Sequence, residues 1–177
     1  MRYEKIKTLS ELKNIIKGLR AKNKRIVFTN GCFELLHAGH ASYLQKARAM
    51  GDILVVGLNS DSSVRKIKGG PRPVTKEKDR AKVLSLLWCV DFITIFSSTT
   101  PFNLLKAVRP DVLVKGGDWK VKDIVGSDLV TSYGGKVKSL PYLKGYSTTG
   151  LIKKINLLTP RRCAVRTYAA GKKGNTL

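Results

Sequence analysis

The chain has 177 residues, 42% of them apolar, which suits one globular domain with its own core. The longest apolar run, "ILVVGL" at 53–58, is of strand length, and the charged start "MRYEKIKTLSELK" lacks the apolar stretch of a secretion signal, so a cytoplasmic protein with no membrane partner is expected. The formal charge of +22, from 34 Lys and Arg against 12 Asp and Glu, favours anionic partners but does not choose between nucleic acid, a nucleotide triphosphate, a sugar phosphate and a merely basic surface.

Thr8 and Glu11 have capping-box spacing, and Leu12, Ile15, Ile16 and Leu19 follow at helical intervals, which predicts a helix over 9–21. "RIVFT" at 25–29 reads as a short buried strand. A helix follows over 39–50, with Tyr43, Leu44 and Ala47 facing inward. "DILVVGL" at 52–58 is apolar on both faces, as parallel strands covered by helices are. Residues 59–80 open with a short helical piece and become a basic Gly/Pro-rich loop, after which a helix is expected over 76–88. "DFITIF" at 91–96 is a third strand. A helix spans 101–108 with Pro101 in its first position, and "DVLVKGGDW" at 111–119 is a strand running into a glycine turn. A helix from Asp123 to Tyr133 closed by Gly134, a strand at 136–140 and a last helix at 146–158 complete the pattern.

Alternating strands and helices predict an α/β, Rossmann-like three-layer domain with a five-stranded parallel sheet over residues 1–158. From 159 to 177 the pattern stops, and "RRCAVRTYAAGKKGNTL" reads as a basic, flexible tail. Cys32, Cys89 and Cys163 are odd in number and contain no CxxC pair, which argues against a disulfide framework or a zinc finger. Cys89 reads as a small core residue; Cys32 sits within a more interesting motif.

That motif is "NGCFELLHAGH" at 30–40, which holds both histidines of the chain. It follows the first strand, so it lies at the C-terminal end of the sheet, where ligands of such folds bind. Gly31 and Gly39 allow close approach of backbone to ligand, and Gly39 and His40 fall at a helix start, where free N–H groups and the helix dipole favour phosphate. His37 and His40 share a face, and each imidazole can donate to a phosphoryl oxygen. Such a pair suits phosphoryl or nucleotidyl transfer between two bound substrates, by alignment and charge stabilisation without a protein nucleophile. On the residues alone two other readings stay open: a metal held with Glu34 or Cys32, and ordinary structural histidines.

"GCFELLHAGH" resembles the GxFDxxHxGH signature of the HxGH nucleotidyltransferases, which include cytidylyltransferases and adenylyltransferases. The family's second element, an ISSTxIR-like helix start, is similar to "YSTTGLI" at 146–152. "FTNGCFELLHAGH", "LVVGLNSD", "RPDVLVKGGDW" and "GYSTT" together resemble the adenylyltransferase domain of ADP-heptose synthases. The resemblance covers residues 4–157. It implies transfer of AMP from ATP to a heptose 1-phosphate, with Mg²⁺ required, giving ADP-heptose and pyrophosphate. His37 and His40 would hold the α-phosphate and the departing pyrophosphate. Asn30, Gly31 and Phe33 would line the nucleotide cleft. Arg80 would contact phosphate, as would Lys66 or Lys68 on a mobile loop. Ser147, Thr148 and Thr149 would meet the β- and γ-phosphates, and Lys115 and Asp118 would face the base or sugar. Trp119 would either stack on a base or close the core.

The chain departs from the family pattern at three places. Glu34 stands where Asp is usual, and Ile152 stands where ISSTxIR ends in a basic residue. Gly117 stands where the glycerol-phosphate cytidylyltransferases carry an acid, which favours ATP over CTP. The resemblance also implies a homodimer, a sugar kinase on a separate protein, and no specific nucleic-acid partner. The alternatives carried forward are a CTP-dependent enzyme acting on a polyol or sugar phosphate, a basic nucleic-acid-binding protein, and a domain that binds nucleotide without turnover.

Overall fold

The computed structural model of the chain describes residues 5–141, 143 and 145–158. Helix α1 (Leu9–Ala21) begins with the capping box read from the sequence: Thr8 Oγ1 accepts from the Glu11 N–H, and Glu11 Oε2 accepts from the Thr8 N–H at 2.7 Å. Its Leu12 and Ile16 are buried. Strand β1 (Ile26–Gly31) sends Ile26 and Phe28 to one face of the sheet and Val27 to the other.

Helix α2 (Ala38–Arg48), strand β2 (Ile53–Asn59), helices α3 (Asp61–Lys68) and α4 (Glu77–Ser85), and strand β3 (Phe92–Phe96) follow. Helix α5 (Phe102–Val108) then carries the chain across to β4 (Val112–Gly116), and a 3₁₀ turn (Val121–Asp123) and helix α6 (Ser127–Ser132) lead to β5 (Lys136–Leu140). Helix α7 (Thr148–Leu158) ends the described chain. The five strands are parallel, in the order β3-β2-β1-β4-β5. Residues 5–7 add to the outer edge of β3 through Lys7 N–H to Ile93 O and Ile93 N–H to Lys5 O, both 2.8 Å.

Each face of the sheet carries its own core. On one side Leu44 and Ala47 of α2 and Ala81 and Leu84 of α4 cover Val27, Leu54 and Val56. On the other, Leu12 and Ile16 of α1, Leu104 and Leu105 of α5 and Val130 of α6 cover Ile26, Phe28, Val55 and Leu113. Burial on both faces is why these strands are apolar throughout instead of alternating. Cys89 is buried in the first of these cores.

The order of strands reverses at β1. The chain winds outward through β2 to β3, then returns across the sheet to β4 on the other flank of β1. A crevice opens at such a switch point, outside the C-terminal ends of the two diverging strands. The hydroxyl of Tyr43 in α2 ties those ends together: it lies 2.6 Å from Thr29 Oγ1 on β1 and donates to Val114 O on β4 at 3.1 Å.

Three expectations are corrected. The helix expected over 123–133 is a 3₁₀ turn and a six-residue helix, because Gly126 takes φ 88°, and a Cβ there would lie 2.3 Å from Leu105 Cδ1. The helical piece after β2 is longer than expected: Ser60 caps α3, which runs to Lys68 and ends at Gly69 with φ 67°. The helix expected over 76–88 stops at Ser85, leaving Leu86 and Trp88 exposed. The tail expected at 159–177, with Cys163, lies outside the described residues.

Candidate active site

His37 is the N-cap of α2. Its backbone is extended, and its Nδ1 accepts from the His40 N–H at 3.3 Å. An imidazole here does the work usually given to Ser, Thr or Asp. The hydrogen bond sets the ring, which stacks on His40 with centroids 3.8 Å apart and planes 18° apart. Phe33 meets His40 edge-on at 5.1 Å. Phe33 sits at φ 45°, an uncommon conformation for a bulky residue and a mark of a loop held in place by its surroundings. Gly39 could carry no side chain: a Cβ would lie 2.9 Å from Tyr146 Cβ and 3.0 Å from His37 Nδ1. The first turn of α2 and the lead into α7 therefore close on each other around the histidines.

Two concavities at the switch point share a wall made of Asn30, Gly31, Cys32, Lys115 and Trp119. The first, of about 290 Å³, contains His37, Gly39, His40, Lys68, Tyr146 and Thr148. The second, of about 250 Å³, reaches Asn59, Thr99, Thr100 and Asp123. A larger groove of about 700 Å³ opens beside the starts of α3 and α4. Its carboxylates are already engaged, Asp61 by Arg80 and Glu77 by the Asp61 N–H, and no histidine reaches it.

Cations gather around the shared wall. Burial holds Lys115 below the usual lysine range, and its Nζ lies 3.4 Å from Asn30 Oδ1. Lys68 Nζ donates to Glu34 Oε1 at 2.8 Å, so the lysine that lines the first concavity is held by the acid of the histidine loop. The Glu34 side chain is fully buried and also receives Arg72 Nε and Nη2, both at 2.6 Å, and the Val74 N–H at 3.1 Å. Burial alone would raise its pKa, but the hydrogen bonds from Arg72 and Lys68 overcome that and bring it down to about 2. Glu34 thus straps the basic segment after α3 to the histidine loop.

The histidines are pulled the other way. Burial lowers the pKa of His37, and burial together with the neighbouring His37 lowers that of His40 to about 4. His40 Nδ1 is buried without a hydrogen-bond partner among the described residues. Both rings are therefore neutral near pH 7. As pH falls from 6.5 towards 4, the unfolded chain gains a proton that the half-buried ring in the folded chain refuses, and His40 erodes stability in that window. A polyanion against the rings reverses the preference. Binding of a non-hydrolysable ATP analogue at pH 5.5 to 6 is expected to take up protons, measured by calorimetry in buffers of different ionisation enthalpy. Equal proton uptake by the wild type and by His40→Ala would contradict the placement of phosphate on these rings.

The structure brings His37, His40, Asn30, Gly31, Phe33, Gly39, Lys68, Lys115 and Thr148 to one cleft. Ser147 caps α7, its Oγ accepting from the Gly150 N–H at 3.0 Å; it and Thr149 are exposed and line neither concavity, unlike Thr148 between them. Three other expected contacts also fall elsewhere. Arg80 is buried under the loop, its guanidinium donating to Asp61 Oδ1, Thr75 O and Cys32 O, so it supports the cleft floor instead of facing a ligand. Lys66 is exposed on α3, away from both concavities, and belongs to a helix instead of a loop. Asp118 is exposed and lines neither concavity, while its neighbour Trp119 lines both. Asn59 and Tyr146, which lie inside the quoted motifs "LVVGLNSD" and "YSTTGLI", join the two linings together with Tyr43, Thr99, Thr100 and Asp123, which no site motif announced. Among the described residues no cluster of three or more His, Cys, Asp or Glu is placed to hold a metal ion.

A family model described as Cytidylyltransferase-like matches residues 28–154. The chain is 54% identical over 151 residues to "Bifunctional protein HldE" of Geotalea uraniireducens, and 51% identical to the protein of the same name from Geobacter sulfurreducens. Each match covers 85% of this chain and 31% of the relative, so the chain spans about a third of the length of the curated relatives it matches. Among solved structures it superposes with TM-score 0.57 on the lipopolysaccharide core biosynthesis protein of Thermoplasma volcanium, at 29% identity over 70% of this chain and 99% of the other. A pantoate-beta-alanine ligase from Francisella tularensis has TM-score 0.56 at 17% identity, over 86% of this chain and 77% of its own, and shares the fold.

Proposed function

The chain belongs to the cytidylyltransferase-like family, and from that premise we propose that it transfers AMP from ATP to a sugar 1-phosphate, a heptose 1-phosphate in particular, releasing pyrophosphate. The observation that carries this reading is the stacked histidine pair at the start of α2, in a concavity that shares a wall with a second one. Two substrates bound side by side across that wall can react with each other, and the protein need only align them and stabilise charge. The half-identical relatives named HldE support the choice of substrates.

In this mechanism the triphosphate lies in the histidine lobe, with Gly39 near its phosphates and Thr148 at the start of α7 beside them. An oxygen of the acceptor phosphate attacks the α-phosphorus, that P–O bond forms, and the bond to pyrophosphate breaks. His37 and His40 donate to the oxygens that gain charge. Lys115, common to both lobes, offsets the repulsion between the approaching phosphates. The histidine lobe is lined by imidazole and ammonium nitrogens and by the neutral polar groups of Asn30, Tyr43, Tyr146 and Thr148, and its one carboxylate, Glu34, is engaged by Arg72 and Lys68. Magnesium, where the reaction requires it, would come with the nucleotide and offset the charge of its phosphates. A sugar kinase would supply the acceptor.

Pyrophosphate release with ATP, CTP, GTP and UTP, each against heptose 1-phosphate, mannose 1-phosphate and glycerol 3-phosphate, tests the reading. Turnover is expected with ATP and heptose 1-phosphate. Preference for CTP with glycerol 3-phosphate would replace the proposed substrates and keep the mechanism. Absence of release from every pair would remove the reading.

A further inference from the structure

We infer that Tyr43 is a positioning residue: its hydroxyl sets the spacing of the two strand ends that carry the cleft wall and holds the histidine turn of α2 against them. The inference deepens the reading above and rests on it for the reaction whose rate is measured.

The sheet parts at one place. Strand β1 stays paired with β2 as far as Gly31 beside Leu58, and β4 with β5 as far as Gly116 beside Leu140. The ladder between β1 and β4 ends earlier, at Phe28 beside Leu113. The next pair in that register would be Thr29 with Val114. Tyr43 bridges these two residues instead, its phenol oxygen bonded to Thr29 Oγ1 at 2.6 Å and to Val114 O at 3.1 Å. The single phenol proton goes to the carbonyl, so the threonine hydroxyl is the donor in the shorter bond. Thr29 and Val114 are fully buried, and water competes little for either bond.

Each residue on this oxygen adjoins a group that faces the ligand cleft. Thr29 precedes Asn30 and Gly31, and Val114 precedes Lys115. Tyr43 lies three residues after His40 on the same face of α2. Just beyond the bridge Lys115 Nζ and Asn30 Oδ1 are 3.4 Å apart, across the opening between the strands. One oxygen thus joins the three elements that carry the imidazoles, the Asn30 amide and the Lys115 ammonium. In a reaction driven by alignment, a misplacement of about 1 Å can cost about a hundredfold in rate. The ring of Tyr43 packs against the core beneath α2, so Tyr43→Phe keeps that packing and deletes the bridge alone.

In the full-length chain Tyr43→Phe is expected to lower kcat at least tenfold and to leave KM for ATP and for the sugar phosphate within twofold. Thr29→Val, which removes one of the two bonds, is expected to lose less of kcat, and Thr29→Ser, which restores a hydroxyl, to recover most of that loss. Should Tyr43→Phe fail to fold, Thr29→Val carries the same comparison. A hydroxyl that only stabilised the fold would leave kcat of the folded variants at the wild-type value, and one that touched the nucleotide would raise KM for ATP; either result overturns the inference and leaves nucleotidyl transfer standing. The two histidines of the chain give a readout without substrates. With isotope-labelled imidazoles, the His40 ring signals are expected to shift or broaden in Tyr43→Phe and, to a smaller extent, in Thr29→Val. If no pair of substrates turns over even in the wild type, the proposed function is what fails, and these signals alone decide the role of Tyr43: a displaced His40 ring supports it, and signals identical to the wild type end it.

Discussion

Alanine at position 40 is expected to lower turnover by about two to three orders of magnitude and to leave the fold intact. The size follows from the loss of one preorganised donor to a charge that grows in the transition state, worth roughly 3–4 kcal/mol. Retention of the fold follows from which histidine caps α2. His37 Nδ1 takes the capping hydrogen bond, while His40 contributes its backbone N–H, which an alanine keeps. What His40→Ala loses in packing is the stack on His37 and the edge contact with Phe33, on a ring that is only partly buried. His37→Ala should behave differently. It removes a donor and the cap together, so a loss of about 1 kcal/mol in stability should accompany the loss of rate. Steady-state kinetics with saturating ATP, read beside urea melts of both variants, separates the two. Wild-type rates in His40→Ala would end the proposed role of the pair, and unfolding of that variant would show the ring to be structural.

The contrast between the two histidines was not legible in the sequence, although the motif was. Their spacing and the glycines around them mark a helix start after a strand, which is local information. That one ring caps the helix and the other lies partly buried beside it depends on Phe33 bending back at positive φ and on Tyr146 closing from the far end of the chain. The elements read well for the same reason that the motif did. Strands buried on both faces are continuous apolar runs, and α1 carries its own capping box. The misplacements share one cause. Arg80 sits beside Asp79 in the chain and so resembles a surface pair, yet its partners are Asp61 and the carbonyl of Cys32, 19 and 48 residues away. Lys66 and Lys68 are two residues apart on one helix, and only the second reaches Glu34. The packing of α3 and α4 against the loop after β1 decides which of these residues meet, and nothing local in the sequence announces it.

Glu34 is where that long-range geometry has the largest consequence for stability. A carboxylate held below its ordinary value stabilises the folded state fully above that value and gives the stabilisation up as pH falls through the folded value. For Glu34 the window runs from 4.5 down to about 2. A shift of that size corresponds to about 3 kcal/mol. Glu34→Gln is therefore expected to lose about 3 kcal/mol at pH 7, the lower end of the cost of breaking a buried pair, because Arg72 and Lys68 keep partial access to water. It should also lose the part of the acid dependence that Glu34 contributes. Urea unfolding at pH 7 and again below pH 4 should show the wild type and the variant converging as the acid is reached. A constant gap across the whole range would mean that the carboxylate charge is not what holds the segment after α3. Activity provides the second readout. With Glu34 neutral, Lys68 loses the anchor that sets it in the histidine lobe, so KM for ATP should rise more than kcat falls. Glu34→Asp, which restores the charge on a shorter arm, should recover the acid dependence in full and the stability in part, since one carboxylate must still span Arg72, Lys68 and the Val74 N–H.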